Sequence, residues 1–185
     1  MKKTFAGIAA LSMFAIGSAH AAVGAQGTIT FNGAVNADSC VVTGAGATNA
    51  GKNLVVDMGT VSVNSLGTEA QPMQAANGFT AIEKTIDIKV ECVAGADVEL
   101  KLTPQTVSGK GIAVTGGAQN VQIMLVTDKT ALDFTSGVHT LDGTLGNQSV
   151  VIPLSAYYTL VNGKAAADVT PGEANATVAY ELSYN

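Results

Sequence analysis

The chain has 185 residues, 47% of them hydrophobic and only 12% charged, with 9 Lys+Arg against 14 Asp+Glu and a formal charge of −5. All of the basic residues are lysines, and an acidic chain without arginine is poorly suited to nucleic acid or to anionic membranes. Its partners are expected to be proteins or neutral molecules. The low charge and the abundance of Gly, Ala, Thr and Val favour strands joined by glycine-containing turns.

The chain opens with Met1-Lys2-Lys3, continues through an apolar stretch over residues 5–16 and reaches Ala19-His20-Ala21, a small-x-small cleavage pattern. This reads as a secretory signal peptide over residues 1–21, because the apolar run is too short to span a bilayer. Removing it from the 185 residues leaves a mature chain of 164 that begins at Ala22, and the loss of Lys2 and Lys3 takes the formal charge from −5 to −7. That length suits one domain with a sizeable core. Export also delivers Cys40 and Cys92 to an oxidising compartment, where a disulfide is the default reading. Closing a loop of about 52 residues is worth roughly 4 kcal/mol in the chain-entropy picture.

Apolar alternation starts immediately after the leader, with Val23, Ala25, Gly27, Ile29 and Phe31 on one face and Gln26, Thr28, Thr30 and Asn32 on the other. It returns at Leu54, Val56 and Met58, at Ile86, Ile88, Val90 and Cys92, and at Val98, Leu100 and Leu102. Residues 121–126 are apolar on both faces and predict a central strand. Residues 150–154 and 158–161 follow. The most regular run comes last, with Ala174, Ala176, Val178, Tyr180, Leu182 and Tyr184 sharing one parity. Turn signals lie between the runs at Asn77-Gly78, Gly116-Gly117, Asp142-Gly143, Gly146-Asn147, Asn162-Gly163 and Pro171-Gly172. Residues 43–51, rich in small side chains, predict a mobile loop. No mature segment keeps a helical period over a dozen residues, and many short strands at this spacing predict an antiparallel β-sandwich.

Catalytic and ligand motifs are sparse. Residues 46–53 come within one position of a phosphate-binding loop, but Asn53 stands where the hydroxyl should be and a strand pattern follows instead of a helix. His139 is the only histidine outside the leader; a solvated loop residue is the expectation for it, ahead of pairing with Asp133 or Asp142. Zinc needs three or four ligands, so no metal site and no cofactor are expected. Any two carboxylates could meet in space, but no pair is singled out. Asn147-Gln148-Ser149 and Asn175-Ala176-Thr177 fit the glycosylation acceptor pattern and read as turn or strand residues. No Trp is present to make a sugar platform, and the adjacent Tyr157 and Tyr158 must face opposite ways in a strand.

Two ends of the chain together resemble one family. "GTITFNGAVNADSC" near the N-terminus and "VTPGEANATVAYELSYN" at the C-terminus are similar to fimbrial subunits of the bacterial chaperone-usher pathway, in the branch of type 1 and P pilins. "VDMGTV", "TIDIKVEC" and "NVQIMLVTD" follow in family order, and both cysteines are placed as in the family. The family's end pattern, a penultimate Tyr with a Gly fourteenth from the C-terminus, falls on Tyr184 and Gly172.

The resemblance implies an incomplete immunoglobulin-like sandwich over residues 34–185 that lacks its last strand. Residues 22–33 would be a donor extension, with Val23, Ala25, Gly27, Ile29 and Phe31 facing a neighbour's groove in donor-strand exchange. Gly172, Val178, Tyr180, Leu182 and Tyr184 would mark the C-terminal strand that meets the periplasmic chaperone and the next subunit. The implied partners are copies of the same protein, that chaperone and an outer-membrane usher; no small-molecule substrate is implied. The implied location is a fimbria on the surface of a Gram-negative bacterium. The donor tail and the single domain favour a shaft subunit that supports adhesion. A tip adhesin and a secreted β-sandwich enzyme are the competing readings.

Overall fold

Among the described residues the backbone is extended along most of the alternating runs, and no α-helix forms. The structure is a computed structural model that describes residues 40–50, 53–75, 78–93, 95 and 97–185, all within the unit Asn36–Asn185. The leader and the alternating segment of residues 22–33 lie outside the described residues.

The first strands are β1 (Cys40–Gly44), β2 (Ala47–Ala50), β3 (Asn53–Val56), β4 (Lys84–Thr85), β5 (Ile88–Cys92) and β6 (Asp97–Pro104). Then come β7 (Val107–Ser108), β8 (Gly111–Ala113), β9 (Thr115–Gly116), β10 (Val121–Thr127) and β11 (Thr130–Ala131). The last are β12 (His139–Thr144), β13 (Ser149–Ile152), β14 (Ser155–Leu160), β15 (Ala174–Asn175) and β16 (Val178–Tyr184). Single 3-10 turns form at Val63–Ser65 and Ala166–Asp168.

Three sheets carry the fold, in the orders β1-β5-β13, β4-β14-β10-β8-β7 and β12-β6-β16, with β11 on β10 and two-stranded ladders β15-β9 and β2-β3. Every ladder is antiparallel. The arrangement is an all-β, immunoglobulin-like sandwich. Period-two alternation turns one face of each strand inward. Val90 of β5, Leu100 of β6, Ile123 and Leu125 of β10, Leu141 of β12 and Ile152 of β13 thus meet in one core around the fully buried Phe134.

The expectation for residues 121–126 holds: β10 lies between β14 and β8 and is buried on both faces. Its outer face is covered by residues 67–75 and 78–83. Gly67 exchanges hydrogen bonds with Tyr158 and Leu160, Ala81 packs on Val126 and Tyr157, and Gln122 donates to the Glu69 carboxylate. The disulfide forms as expected. Cys40 and Cys92 sit directly opposite each other on β1 and β5, with Cα atoms 4.0 Å apart.

Four local expectations are corrected. Where it is described, the expected loop over residues 43–51 is largely strand: β1 ends at Gly44, and β2 pairs with β3, so a strand and not the helix of a phosphate loop lies at Asn53–Val56. The run from Ile86 to Cys92 is broken at Asp87, whose φ of 34° bends the backbone between β4 in one sheet and β5 in another. The final run is likewise two strands. β15 pairs with β9 and β16 with β6, so the backbone changes partners at residues 176–177. Asp142-Gly143 lies within β12 and makes no turn; a Cβ on Gly143 would come within 3.2 Å of Val98 and Val150, so the glycine serves close packing.

Candidate strand-acceptor groove

Among the described residues, β16 comes last in chain order and lies at the edge of its sheet. β16 pairs along its whole length with β6, from Val178 opposite Pro104 to Tyr184 opposite Val98, and ends the order β12-β6-β16. In an antiparallel ladder, directly opposed residues alternate between hydrogen-bonded and non-bonded pairs. The amide of Asn185 donates to Asp97 and that of Gln105 to Thr177, which makes the odd-numbered residues of β16 the ones bonded to β6. The amides and carbonyls of Val178 and Leu182 therefore point the other way, towards the outer edge of the sheet.

Side-chain burial shows the same asymmetry. On β6 the inward residues Val98, Leu100 and Leu102 are 3%, 1% and 5% exposed. One strand further out, Val178, Tyr180 and Leu182 pack on the same core but are only half-buried, and Tyr184 is 42% exposed. Val42 on β1, Leu54 and Val56 on β3, and Met58 beyond it are also half-buried against that core. The core thus has a rim of apolar side chains that the described residues cover incompletely. Such a rim next to a sheet edge is suited to receive a strand.

A cleft of about 520 Å³ opens between residues 59–66 and residues 169–175, with Val61, Val63, Leu66, Val121, Tyr158 and Val169 among its walls. Tyr158 donates from its hydroxyl to the Ala174 carbonyl at 2.7 Å. Burial, reinforced by the charge of Asp57, pushes its phenol above the ordinary tyrosine value. Gly172 lies in the far wall. A Cβ there would sit 2.4 Å from the carbonyl carbon of Gly117 and 2.6 Å from the nitrogen of Ala118, so only glycine lets these two backbones meet. The approach is secured by the amides of Gly117 and Ala118, both donating to Glu173 at 3.0 Å, and by reciprocal bonds between Gln119 and Thr170.

The structure therefore brings Val178, Tyr180 and Leu182 together on the inward face of β16, with Tyr184 at its exposed end, and sets Gly172 apart from them in the cleft wall. Val23, Ala25, Gly27, Ile29 and Phe31 lie outside the described residues. The contribution of residues 59–66 and the pairing of Gly172 with Gly117 went unread in the sequence. Nothing local signals that two glycines far apart in sequence will touch. Acidic residues gather beyond the end of β16, where Asp97, Glu99 and Asp142 share a second cleft with Asn185. Nearby, Lys101 pairs with Glu181 across the ladder at 3.6 Å.

His139 is not in a loop. It begins β12, half-buried, with Nδ1 3.3 Å from the Asp133 carbonyl oxygen and its ring edge-on to Phe134. Asn147 occupies a turn at φ 51° and Asn175 lies in β15. Tyr157 is buried and Tyr158 half-buried, so neither offers an open platform. Among the described residues no three Asp, Glu, His or Cys side chains converge to hold a metal ion.

Comparison with known proteins now assigns the class. The model of the fimbrial protein family matches residues 29–185, and the chain belongs to that family. It is a structural fimbrial subunit of a cell-surface pilus, polymerising with neighbouring subunits, and not an enzyme. Among solved structures it is similar to the P pilus rod subunit PapA, at 18% identity and a TM-score of 0.56, over 80% of this chain and 99% of that one. It is also similar to the subunit in a chaperone-usher pilus, at 22% identity and a TM-score of 0.53, over 90% of this chain and all of that one. The CupB6 tip adhesin from Pseudomonas aeruginosa matches at 21% identity and a TM-score of 0.48, over 56% of this chain; the chain spans 30% of that adhesin's length. At these identities the likenesses show the fold alone. No curated protein matches the chain.

Proposed function

We propose that this protein is the shaft subunit of a chaperone-usher fimbria, that its sandwich lacks one strand, and that the next subunit in the fibre supplies it. The observation that carries this reading is the edge position of β16 together with the half-burial of Val178 and Leu182, whose counterparts one strand inward are sealed. Residues 22–33 have the period and polarity to fill that edge, with Val23, Ala25, Gly27, Ile29 and Phe31 inward. Each large apolar side chain so buried contributes about 1.5–3 kcal/mol. Covering the acceptor's own rim adds to this. Gly27, without a side chain, lets the donor backbone lie close to the groove floor.

In this reading residues 1–21 direct export to the periplasm of a Gram-negative bacterium, a periplasmic chaperone covers the open edge along β16, and an outer-membrane usher exchanges it for the next donor segment. Head-to-tail contacts of this kind do not close on themselves and generate a filament that supports adhesion. Deleting residues 22–32 tests the reading in cells. The truncated subunit is expected to bind its chaperone but not to insert into a neighbour. The intact subunit should run on an unboiled denaturing gel as a ladder that collapses on heating, because release requires slow unfolding. Fibres formed by the truncated subunit would overturn the donor role.

A further inference from the structure

We infer that Asn162 is a site of non-enzymatic deamidation, the asparagine most prone to it among the described residues. The reaction needs a backbone amide nitrogen free to attack the preceding side chain, and a following residue too small to hinder ring closure. The sequence has three Asn-Gly pairs, at residues 32–33, 77–78 and 162–163. The first lies outside the described residues. In the second, the nitrogen that would attack is engaged, because the Gly78 amide donates to the Ala75 carbonyl at 2.8 Å.

The third pair is arranged differently. Residues 161–164 form a turn closed by the Lys164 amide donating to Val161 at 3.0 Å, and the amide of Gly163 makes no hydrogen bond among the described residues. Asn162, Gly163 and Lys164 are all exposed. Gly163 holds a φ of +76°, and a Cβ built on it would meet nothing within 4 Å, so no neighbouring segment crowds the attacking residue. Other asparagines are held or hindered. Asn120 donates its side-chain amide to Asp168 at 2.7 Å, Asn175 is paired in β15, and Asn64 and Asn147 precede residues with side chains.

The reaction is balanced with water as the one co-reactant. Solvent base removes the Gly163 amide proton, and that nitrogen attacks Cγ of Asn162. The new bond from nitrogen to Cγ forms as the bond between Cγ and Nδ2 breaks, Nδ2 takes a proton from solvent water, and ammonia leaves. One water then opens the succinimide at either carbonyl, giving aspartate or isoaspartate at position 162. Each event adds a negative charge to an already acidic protein. The isoaspartate route also adds a methylene to the backbone that leads from β14 to the cleft wall at residues 169–175. None of this depends on donor-strand exchange.

The test is peptide mapping by mass spectrometry of the mature, disulfide-bonded protein held at neutral and mildly alkaline pH. Conversion at Asn162 should run about an order of magnitude faster than at Asn64 and Asn147, rise with pH, and yield isoaspartate. Asn162→Gln should abolish it. Gly163→Ala should slow it, and the urea-unfolded wild-type protein supplies the reference rate without relying on that variant's fold. The proposal is overturned if Asn162 in the folded protein stays intact while the unfolded protein converts, or if it converts no faster than Asn147.

Discussion

Replacing Gly172 with alanine would place a methyl carbon 2.4 Å from the Gly117 carbonyl carbon, 2.6 Å from the Ala118 nitrogen and 2.8 Å from the Gly117 Cα. These are backbone atoms, so no side-chain rotation relieves the clash and the two segments must separate. Overpacking of this kind costs about 1–3 kcal/mol. Separation also strains the two hydrogen bonds from Gly117 and Ala118 to Glu173, each worth about 1 kcal/mol net. The sum is roughly 3–5 kcal/mol, which lowers a urea midpoint by about 1.5–2.5 M for a domain of this size. Gly146→Ala is the matched control, because a Cβ there meets nothing within 4 Å, and its effect should stay within about 0.5 kcal/mol. Equilibrium urea unfolding of the mature protein, followed by far-ultraviolet circular dichroism, reads both. Equal midpoints for the two variants would refute the close-approach role assigned to Gly172.

Two further outcomes follow from the same geometry. Replacing Cys40 and Cys92 together with serine removes the covalent link between β1 and β5, leaving only their ladder, and should cost roughly 4 kcal/mol, seen as a lower denaturant midpoint than that of the oxidised parent. Tyr157 gives a pH dependence: burial first, and the charge and hydrogen bond of Glu83 second, raise its phenol from 10.0 to about 12. Because the folded value lies above the unfolded one, its contribution to stability is complete below pH 10 and is lost as the pH rises towards about 12. Thermal melts across that window should show the loss, and Tyr157→Phe should remove that component of it.

Much of this fold is legible in the alternation, and the parts that are not share a cause. β5, β6 and β10 read directly, because each lies in one sheet and buries one or both faces along its length. The breaks at Asp87 and at residues 176–177 do not show, because the alternation runs on in the same parity across each, from Ile86 to Ile88 and from Ala174 through Ala176 to Val178. What changes there is the partner strand, which is a tertiary property. Gly143 misled for a related reason: Asp-Gly is a turn signal in isolation, but here the packing of Val98 and Val150 decides. At the site, the inward face of β16 followed from period two and Gly172 from its position in the end pattern. The cleft built by residues 59–66 has no periodic signature, and its walls meet only once the sheets have stacked.

The most direct measurement is residue-resolved amide hydrogen exchange on the protein lacking residues 22–33, with and without a synthetic peptide of that sequence. If β16 is an acceptor edge, saturating peptide should slow exchange at Val178 and Leu182, whose amides point away from β6. Ala179 and Glu181, already bonded to β6, should change little. Unaltered exchange at Val178 and Leu182 under saturating peptide would contradict the account.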